Sequence, residues 1–550
     1  MILKNERKNT VITIQISRLK LTIQYPNTQD YSIDTPQAEI ECDVVIVGTG
    51  AGGGIAAEIL SRSGLNVLMI EEGPLKTSAD FKMQEKQAYT DLYQEVAGRQ
   101  TVDKSIQILQ GRNVGGSTTV NWTSSFRTPE PTLSHWINEH SVIGLSQVEL
   151  SPWFSWVEKR LNIAPWTIPA NTNNQLLADG VKKLGWESKV IPRNVKGCAN
   201  LGYCGMGCPL DAKQSMLVSC IPTALANDAR LISRARVESL IIEGDKTTGV
   251  MLTSMNAFGQ LKQKDVTKVL AKHTVLSAGA IGSPAVLMRS NLQEKSSNIG
   301  KRTFLHPVTA TVAKMPDAVN AFYGAPQSIY SDQFLWRDGV KGELGYKIES
   351  PPLHPLIVST LFRQHGSEHI EKMKDFAYFQ ANLALLRDGF NPESKGGSVL
   401  LDKNNYPQLD YSPDPLLWRG VRHAMLSMAE IQFAAGAKKV FPLHMDAKYY
   451  LSWSKAKTAI KQLTPKVLRW QLVSAHVMGG CAMGQDSGSA VCDSDGRFNR
   501  LDNLSVLDGS LFPTSLGVNP QLTIYAVVAK LASKLSLNLN GDLPQDLALL

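Results

Sequence analysis

The amino-acid sequence predicts an α/β protein with a doubly wound, discontinuous sheet and an inserted α+β domain. First, an apolar β-branched run at residues 43–47 is followed by glycines, a helical pattern at 55–60 and a second strand at 66–70. Second, strand-like runs at 274–276 and 504–507 each lead into a glycine-containing segment. Third, residues 311–469 are rich in aromatics and carry alternating runs such as 397–401, which predicts an antiparallel sheet.

A chain of 550 residues is too long for one simple core, so the sequence predicts two domains. We assign residues 41–310 and 470–550 to the doubly wound domain and residues 311–469 to the inserted domain. Residues 1–40 form a polar leader without chemical motifs.

Charge and hydropathy exclude several classes of function. The excess of 57 basic over 49 acidic residues is spread along the chain without a Lys/Arg block, which argues against nucleic-acid binding. The sequence contains no run of 18 apolar residues and no signal-like segment near its start, so we expect no transmembrane segment. We expect a cytoplasmic protein or one that lies peripherally on the inner membrane; export to the periplasm with a partner is an open alternative.

A glycine-rich loop follows the first strand. Gly48, Gly50 and Gly53 fit the pattern G-x-G-x-x-G between a strand and a helix, where the backbone can approach a pyrophosphate at the helix N-terminus. Glu71 ends the second strand, where a carboxylate can accept hydrogen bonds from ribose hydroxyls and would repel a 2′-phosphate. The loop therefore predicts a dinucleotide other than NADP, and does not distinguish NAD from FAD.

A second glycine segment carries a family resemblance. Residues 111–121, with Gly115, Gly116, Ser117 and Asn121, resemble the first signature of the glucose–methanol–choline (GMC) oxidoreductases. Residues 279–284, 300–307, 508–510 and 519–520 also resemble family segments, in the family's order. The resemblance implies a Rossmann-like FAD-binding domain.

Further cofactor contacts follow from this resemblance. It implies that Val237, Asp508 and Gly509 contact the FAD. Some members bind flavin covalently through a histidine where this chain has Val120, so we expect non-covalent FAD.

His476 and Asn519 are the predicted catalytic pair. A histidine titrates near neutrality and can take a hydroxyl proton, which contributes about 10²–10⁴-fold in rate. The family uses a His–His or His–Asn pair, which implies that His476 is the base, that Asn519 orients the oxygen and that flavin N5 takes the hydride. Asn519 and Pro520 also predict a helix N-cap and first helical position. His306 is interpreted as a structural residue near the flavin.

Three cysteines suggest a second redox centre. Cys198, Cys204 and Cys208 have the spacing C-x5-C-x3-C-P. The loop resembles that of membrane-associated GMC dehydrogenases with a 3Fe–4S cluster, and also that of long-chain alcohol oxidases. A loop of free thiols is the alternative. Zinc is disfavoured because no fourth ligand is nearby.

The predicted function is FAD-dependent oxidation of an alcohol CH–OH group. We expect the electrons to pass to a quinone, a cytochrome or another carrier, with a small subunit or cytochrome as partner. The alternatives are an oxidase for a long-chain alcohol or sterol and a non-redox flavin-dependent lyase. The inserted domain, with aromatics such as Tyr323, Trp336 and Phe376, is expected to determine the substrate.

Overall fold

The first sheet is built around the long strand Leu261–Leu276. Its last residues pair in parallel with Glu39–Val47 on one side and with Leu504–Val506 on the other. The computed structural model describes residues 23–362 and 364–549 and confirms that these distant segments form one sheet. In spatial order its strands are Thr28–Asp30, Arg230–Ser233, Val67–Ile70, Glu39–Val47, Leu261–Leu276, Lys246–Met255 and Ala235–Glu243, with Leu504–Val506 beside Leu261–Leu276.

The sheet extends beyond the strands predicted from sequence. The first half of Leu261–Leu276 pairs antiparallel with Lys246–Met255, and polar residues on this half hide it from an apolar pattern search. Within the predicted leader, residues 1–22 lie outside the described residues. Thr28–Asp30 adds a parallel edge strand and Tyr31 is fully buried, so residues 28–40 are part of the fold.

Helix Ala51–Arg62 packs on strands Glu39–Val47 and Val67–Ile70, where Gly52 and Gly53 permit close approach to the backbone of Leu507 and Gly48. Its outer side packs against Gln521–Asn540 and Cys220–Leu225. The other helices of these segments are Glu85–Leu92, Ser117–Val120, Glu130–His140, Gln147–Arg160, Gly279–Arg289 and Gln545–Ala548. Short 3-10 helices lie at Gln94–Ala97, Cys204–Met206, Leu292–Glu294 and Gly509–Leu511.

Gln521–Asn540 is the one helix of the described residues that is long and apolar enough to cross a membrane by length and composition. In this structure 67% of its apolar window is buried inside the protein. It packs on Ala51–Arg62 and Gln147–Arg160, as a core helix does.

The second sheet is almost wholly antiparallel, which confirms the prediction of an antiparallel sheet in addition to the doubly wound one. In spatial order its strands are Ile106–Ile108, Leu472–Ser474, Val308–Lys314, Phe379–Leu386, Tyr346–Glu349, Ile329–Phe334 and Lys189–Val190, with Lys439–Pro442 beside Val308–Lys314. Four of these strands lie wholly or partly outside residues 311–469, so the segments assigned to the first domain also contribute strands to the second sheet. The boundaries at 310/311 and 469/470 stay a prediction.

One face of the second sheet carries helices and the other faces the first domain. Pro415–Ala434 and Thr172–Lys183 pack on its strands. The other helical segments here are Pro355–Leu361, Gly366–Lys374, Trp453–Gln462 and the 3-10 turn Phe376–Tyr378. Three short antiparallel strand pairs complete the fold: Thr303–Leu305 with Val477–Gly479, Ser398–Leu401 with Pro407–Asp410, and Ile163–Pro165 with Pro192–Asn194.

Candidate active site

The glycine loop at the end of strand Glu39–Val47 is closely packed except at one position. Gly48 has φ +96°, and a Cβ there would overlap the carbonyl of Ser277. A Cβ on Gly53 would overlap the carbonyl oxygen of Gly48. A Cβ on Gly50 would meet nothing within 4 Å. The backbone of Gly50 is therefore open at the N-terminus of helix Ala51–Arg62, where a phosphate would bind.

Glu71 holds the glycine loop in place. Its Oε2 accepts hydrogen bonds from the Thr49 backbone N–H at 3.1 Å and from Thr49 Oγ1 at 2.6 Å, and its Oε1 accepts from the Gly73 N–H at 2.9 Å. Burial raises the pKa of Glu71 although these donors act against the shift. Glu71 lines the cavity described below, and its contact with a ribose stays a prediction.

The second glycine segment contacts the first loop directly. The Gly115 N–H donates to Thr49 Oγ1 at 3.0 Å, and a Cβ on Gly116 would come within 2.8 Å of the Gly50 Cα. Gly115 and Gly116 both have positive φ, +91° and +54°, which glycine adopts without strain. The two loops therefore form one continuous backbone surface.

Two side chains of this segment hold its local structure. Ser117 Oγ accepts from the Gly111 N–H at 2.9 Å. The Asn121 amide donates to Gln521 Oε1 at 2.7 Å, and its oxygen accepts from the Thr123 N–H. Both residues line the cavity.

Asp508 joins the C-terminal segment to helix Gly279–Arg289. One carboxylate oxygen accepts from the Gly279 N–H at 2.8 Å and Ser283 Oγ at 2.6 Å, and the other accepts from Ser510. This network holds two distant chain segments together at the same edge of the sheet.

A cavity of about 470 Å³ runs from the glycine loops to His476 and Asn519. Most predicted cofactor residues line it, whereas Gly53 and Gly115 pack behind its surface. The predicted residues that line it are Gly48, Gly50, Glu71, Gly116, Ser117, Asn121, Val237, Asp508 and Gly509. Tyr323, Trp336 and Phe376 of the inserted region do not line it; Tyr323 is exposed, and Trp336 lies against Arg387.

His476 is paired with a second histidine. The pairing of Thr303–Leu305 with Val477–Gly479 brings His306 Nδ1 to 3.0 Å from His476 Nδ1. The Gly517 N–H donates to His306 Nε2 at 3.0 Å. A neutral His306 must then carry its hydrogen on Nδ1 and donate it to His476 Nδ1.

The tautomer of His476 follows from this arrangement. Because its Nδ1 accepts, a neutral His476 carries its hydrogen on Nε2, the nitrogen without a partner among the described residues. Burial first, and then the charge of Lys347, lower the pKa of His476 to about 3. Burial also lowers the pKa of His306 well below its usual value. Both rings are therefore neutral near pH 7, and the structural role predicted for His306 includes its hydrogen bond to His476.

Asn519 does not cap a helix, contrary to the sequence prediction. Helix Gln521–Asn540 begins at Gln521, Pro520 occupies the N-cap position, and no side chain caps the helix. The Asn519 Oδ1 instead accepts a hydrogen bond from Lys347 Nζ. Lys347 also forms an ion pair with Glu349 at 2.8 Å, and both side chains are fully buried.

Sequence reasoning missed Lys347 and Glu349. The only local pattern that contains them is the alternation of apolar and charged residues in Tyr346–Glu349, which is typical of a strand with one polar, solvated face. Here every residue of the strand is buried, because the polar face lies under the first domain.

The cysteine loop is not arranged as a metal site. Among residues 23–362 and 364–549, no group of three His, Cys, Asp or Glu side chains is placed to hold a metal ion. Cys198 Sγ accepts from the Asn200 N–H at 3.4 Å, and Cys204 Sγ accepts from Arg193 at 3.5 Å. Because these three side chains do not converge on one point, the structure does not support a 3Fe–4S cluster at Cys198, Cys204 and Cys208.

The same loop is tied to the cofactor segment by Lys213. Its buried Nζ donates to the carbonyl of Cys204 at 2.7 Å and to that of Asn121 at 2.9 Å. It also donates to the carbonyl of Thr119. The cysteine loop thus packs behind the cavity wall.

The fold and the cavity define a dinucleotide-binding α/β protein with a His and an Asn at the far end of its cofactor cleft. Models of the GMC oxidoreductase family match residues 89–308 and 392–527. The chain belongs to the GMC oxidoreductase family, and so to the FAD-dependent oxidoreductases.

Relatives cover almost the whole chain. A long-chain-alcohol oxidase of Arabidopsis thaliana is 29% identical over 92% of this chain and 70% of its own length. An uncharacterised GMC-type oxidoreductase of Mycobacterium tuberculosis is 30% identical over 92% of this chain and 77% of its own.

Solved structures share the fold at low identity. Formate oxidase of Aspergillus oryzae has a TM-score of 0.70 and 14% identity, covering 92% of this chain and 100% of its own. Pyridoxine 4-oxidase from Mesorbium loti has a TM-score of 0.65 and 17% identity, covering 90% and 99%.

The two glycines of the first loop provide a matched test of the cofactor site. We expect Gly50→Ala to fold, since its Cβ meets open space and its φ of −68° suits alanine, yet to lose most of its FAD. Gly53→Ala should instead destabilise the fold by about 1–3 kcal/mol, because its Cβ overlaps backbone. FAD content after gel filtration and the Tm of each apoprotein measure the two effects. Full FAD content in Gly50→Ala would contradict the assignment.

Proposed function

We propose that this protein oxidises an alcohol that carries an apolar chain or ring, with FAD as the hydride acceptor. The observation that carries the proposal is the meeting of His476, Asn519 and an apolar wall at one end of the cofactor cavity. The overall reaction converts the alcohol to a carbonyl compound and releases one proton and one hydride, which together are two protons and two electrons.

The chain's residues fit FAD, since the open backbone of Gly50 and the joined glycine loops form a cradle without side chains. Gly48, Gly50 and the N-terminus of helix Ala51–Arg62 would hold the diphosphate, and Glu71 the ribose. The backbone at Gly116–Asn121 would lie against the flavin. When bound, FAD supplies the acceptor for the hydride from the carbinol carbon.

The apolar wall lies on the cavity face of the second sheet. Val308, Leu383 and Leu385 form a small apolar cluster that is separate from the main core, with Val473 and Trp122 packed against it. All five line the cavity. Val308 and Val473 also lie two and three residues from His306 and His476. A substrate hydroxyl at His476 would therefore place its carbon chain along this wall, which favours an apolar alcohol over a sugar or polyol.

His476 and Asn519 act on the hydroxyl. The Asn519 amide N–H can donate to the substrate oxygen and hold it in line for transfer. His476 can accept the proton at Nε2 only if its own hydrogen moves to Nδ1. His306 must then adopt the opposite tautomer and release the Gly517 N–H. We propose that this tautomer change accompanies proton uptake by His476.

Two acceptors are candidates for the electrons. An iron–sulfur cluster at the cysteine loop would favour a quinone, a cytochrome or another carrier as acceptor. The arrangement of those cysteines does not support such a cluster. The Arabidopsis relatives are named long-chain-alcohol oxidases, which favours oxygen, reduced by two electrons and two protons to hydrogen peroxide. Oxygen uptake and peroxide release, compared with reduction of a soluble quinone, distinguish the two.

We expect the FAD to be non-covalent, because Val120 offers no nucleophile where some family members attach the flavin. Acid precipitation of the holoprotein should release the yellow colour into the supernatant. Colour that stays in the pellet would refute non-covalent binding.

Anaerobic mixing with 1-octanol should bleach the flavin, since hydride transfer reduces it without oxygen. We expect His476→Gln to slow this reduction by about 10²–10⁴-fold while FAD stays bound. His135→Gln is a matched control, because His135 is buried outside the cavity. A protein that converts substrate without any bleaching would be a lyase, and loss of FAD from His476→Gln would make that residue structural.

The apolar wall predicts a dependence on chain length. Each methylene that the wall buries should contribute about 0.8 kcal/mol, or roughly fourfold in kcat/KM, until the cavity is filled. Val473→Thr, which is similar in shape but polar, should flatten this dependence. Steady-state kinetics over 1-butanol to 1-dodecanol measures it, with sorbitol and glucose as polar comparisons. Faster oxidation of the polyol would overturn the apolar assignment.

A further inference from the structure

We propose that Lys347 is a positioning residue for this reaction: its ammonium group fixes the amide of Asn519 so that the amide nitrogen faces the substrate oxygen. The inference rests on the proposed function of Asn519. It assigns a role to the buried ion pair of Lys347 and Glu349, two residues that lie outside the family segments named above.

The register of the second sheet places this pair at the active site. In strand Tyr346–Glu349, Lys347 lies opposite Leu385 and Glu349 lies opposite Leu383. Cross-strand partners share a face of the sheet, and Leu383 and Leu385 line the cavity. Lys347 and Glu349 therefore lie on the substrate side of the sheet, beneath Asn519.

Few groups lie within reach of the Lys347 ammonium. Its Nζ lies 2.8 Å from Glu349 Oε1 and 3.5 Å from the centre of the Phe126 ring, and it donates to Asn519 Oδ1. Replacing such a buried pair by apolar residues is often neutral or stabilising in proteins, so fold stability does not explain it. The contact with Asn519 offers a functional explanation.

An ammonium group decides which way the amide points. Lysine has three donors and no acceptor, so only the oxygen of Asn519 can face it. The amide nitrogen has no hydrogen-bond partner among the described residues, and Asn519 lines the cavity. Without the lysine the two ends of the amide would compete, and the carbonyl end would repel a substrate oxygen as it gains negative charge.

The same charge acts on the histidine pair. Lys347 helps to lower the pKa of His476 and of His306, after burial. The other charged groups near this centre are Glu349 on the same strand, Asp332 on the neighbouring strand and Arg387, which acts on His306. Removing the positive charge should therefore let the His476 pKa rise toward its usual value.

The test is a neutral pair of the same shape, Lys347→Met with Glu349→Gln, in the FAD-loaded enzyme. We expect FAD content to be kept, kcat to fall about 10- to 100-fold and KM to change little, because the donor acts mainly in the transition state. Lys372→Met is the matched control: Lys372 is also buried against an aromatic ring, Phe441 at 3.9 Å, but lies outside the cavity. It should leave kcat unchanged.

A double-mutant cycle with Asn519→Ala shows whether Lys347 acts through that residue. The neutral pair should cost little further activity in the Asn519→Ala background. An equal loss in both backgrounds, or wild-type kcat in the neutral pair, would overturn the proposal. If Asn519→Ala alone left turnover intact, the function proposed for Asn519 would fail instead.

Two further measurements separate positioning from simple support of the fold. In ¹⁵N-histidine-labelled enzyme, the His476 resonance should titrate at higher pH in the neutral pair than in the wild type; an unchanged midpoint counts against the proposal. Glu349→Gln alone removes the counter-ion and so lowers the pKa of Lys347 further, and kcat should therefore fall more steeply as pH rises than in the wild type. A loss that is as large as that of Asn519→Ala and does not change with pH would overturn the proposal even if the neutral pair did not fold.

Discussion

The parallel pairing of Leu261–Leu276 with Glu39–Val47 and Leu504–Val506 is the constraint on which the rest of the site depends. Because all three strands end at the same edge, they bring Gly48, Gly279 and Asp508 together from positions more than 200 residues apart. The Asp508 carboxylate then joins its own segment to helix Gly279–Arg289 through hydrogen bonds from Gly279 and Ser283. The cofactor cradle is thus a direct product of strand register.

The second sheet supplies what the first cannot. Its cavity face carries an apolar wall and, a strand farther along, a buried ion pair. The rings of His306 and His476 lie between the two sheets and are joined by a short pairing of Thr303–Leu305 with Val477–Gly479. In the function proposed above, the polar edge holds the cofactor and the apolar face receives the substrate.

The parts of this arrangement that depend on local sequence could be predicted. The glycine loops, the βαβ unit and the position of His476 follow from short patterns of residues. The bond between His306 and His476 spans 170 residues and leaves no local pattern. Lys347 and Glu349 alternate with apolar residues along their strand, a pattern that is typical of a strand with one face in solvent. They are buried because the first domain lies over that face, which the local sequence does not indicate. Helix Gln521–Asn540 begins one residue later than predicted, and the Asn519 side chain makes a tertiary contact with Lys347 in place of a cap.

The separation of cofactor edge and substrate face has a consequence for how such an enzyme can change. Val473, Leu383 and Leu385 are strand side chains that take no part in the hydrogen bonds of the glycine loops. Their size and polarity can vary while the sheet's backbone pairing, and with it the redox chemistry, stays the same. A single scaffold can in this way change its substrate specificity by substitution of a few residues of the apolar wall, while its cofactor site stays unchanged.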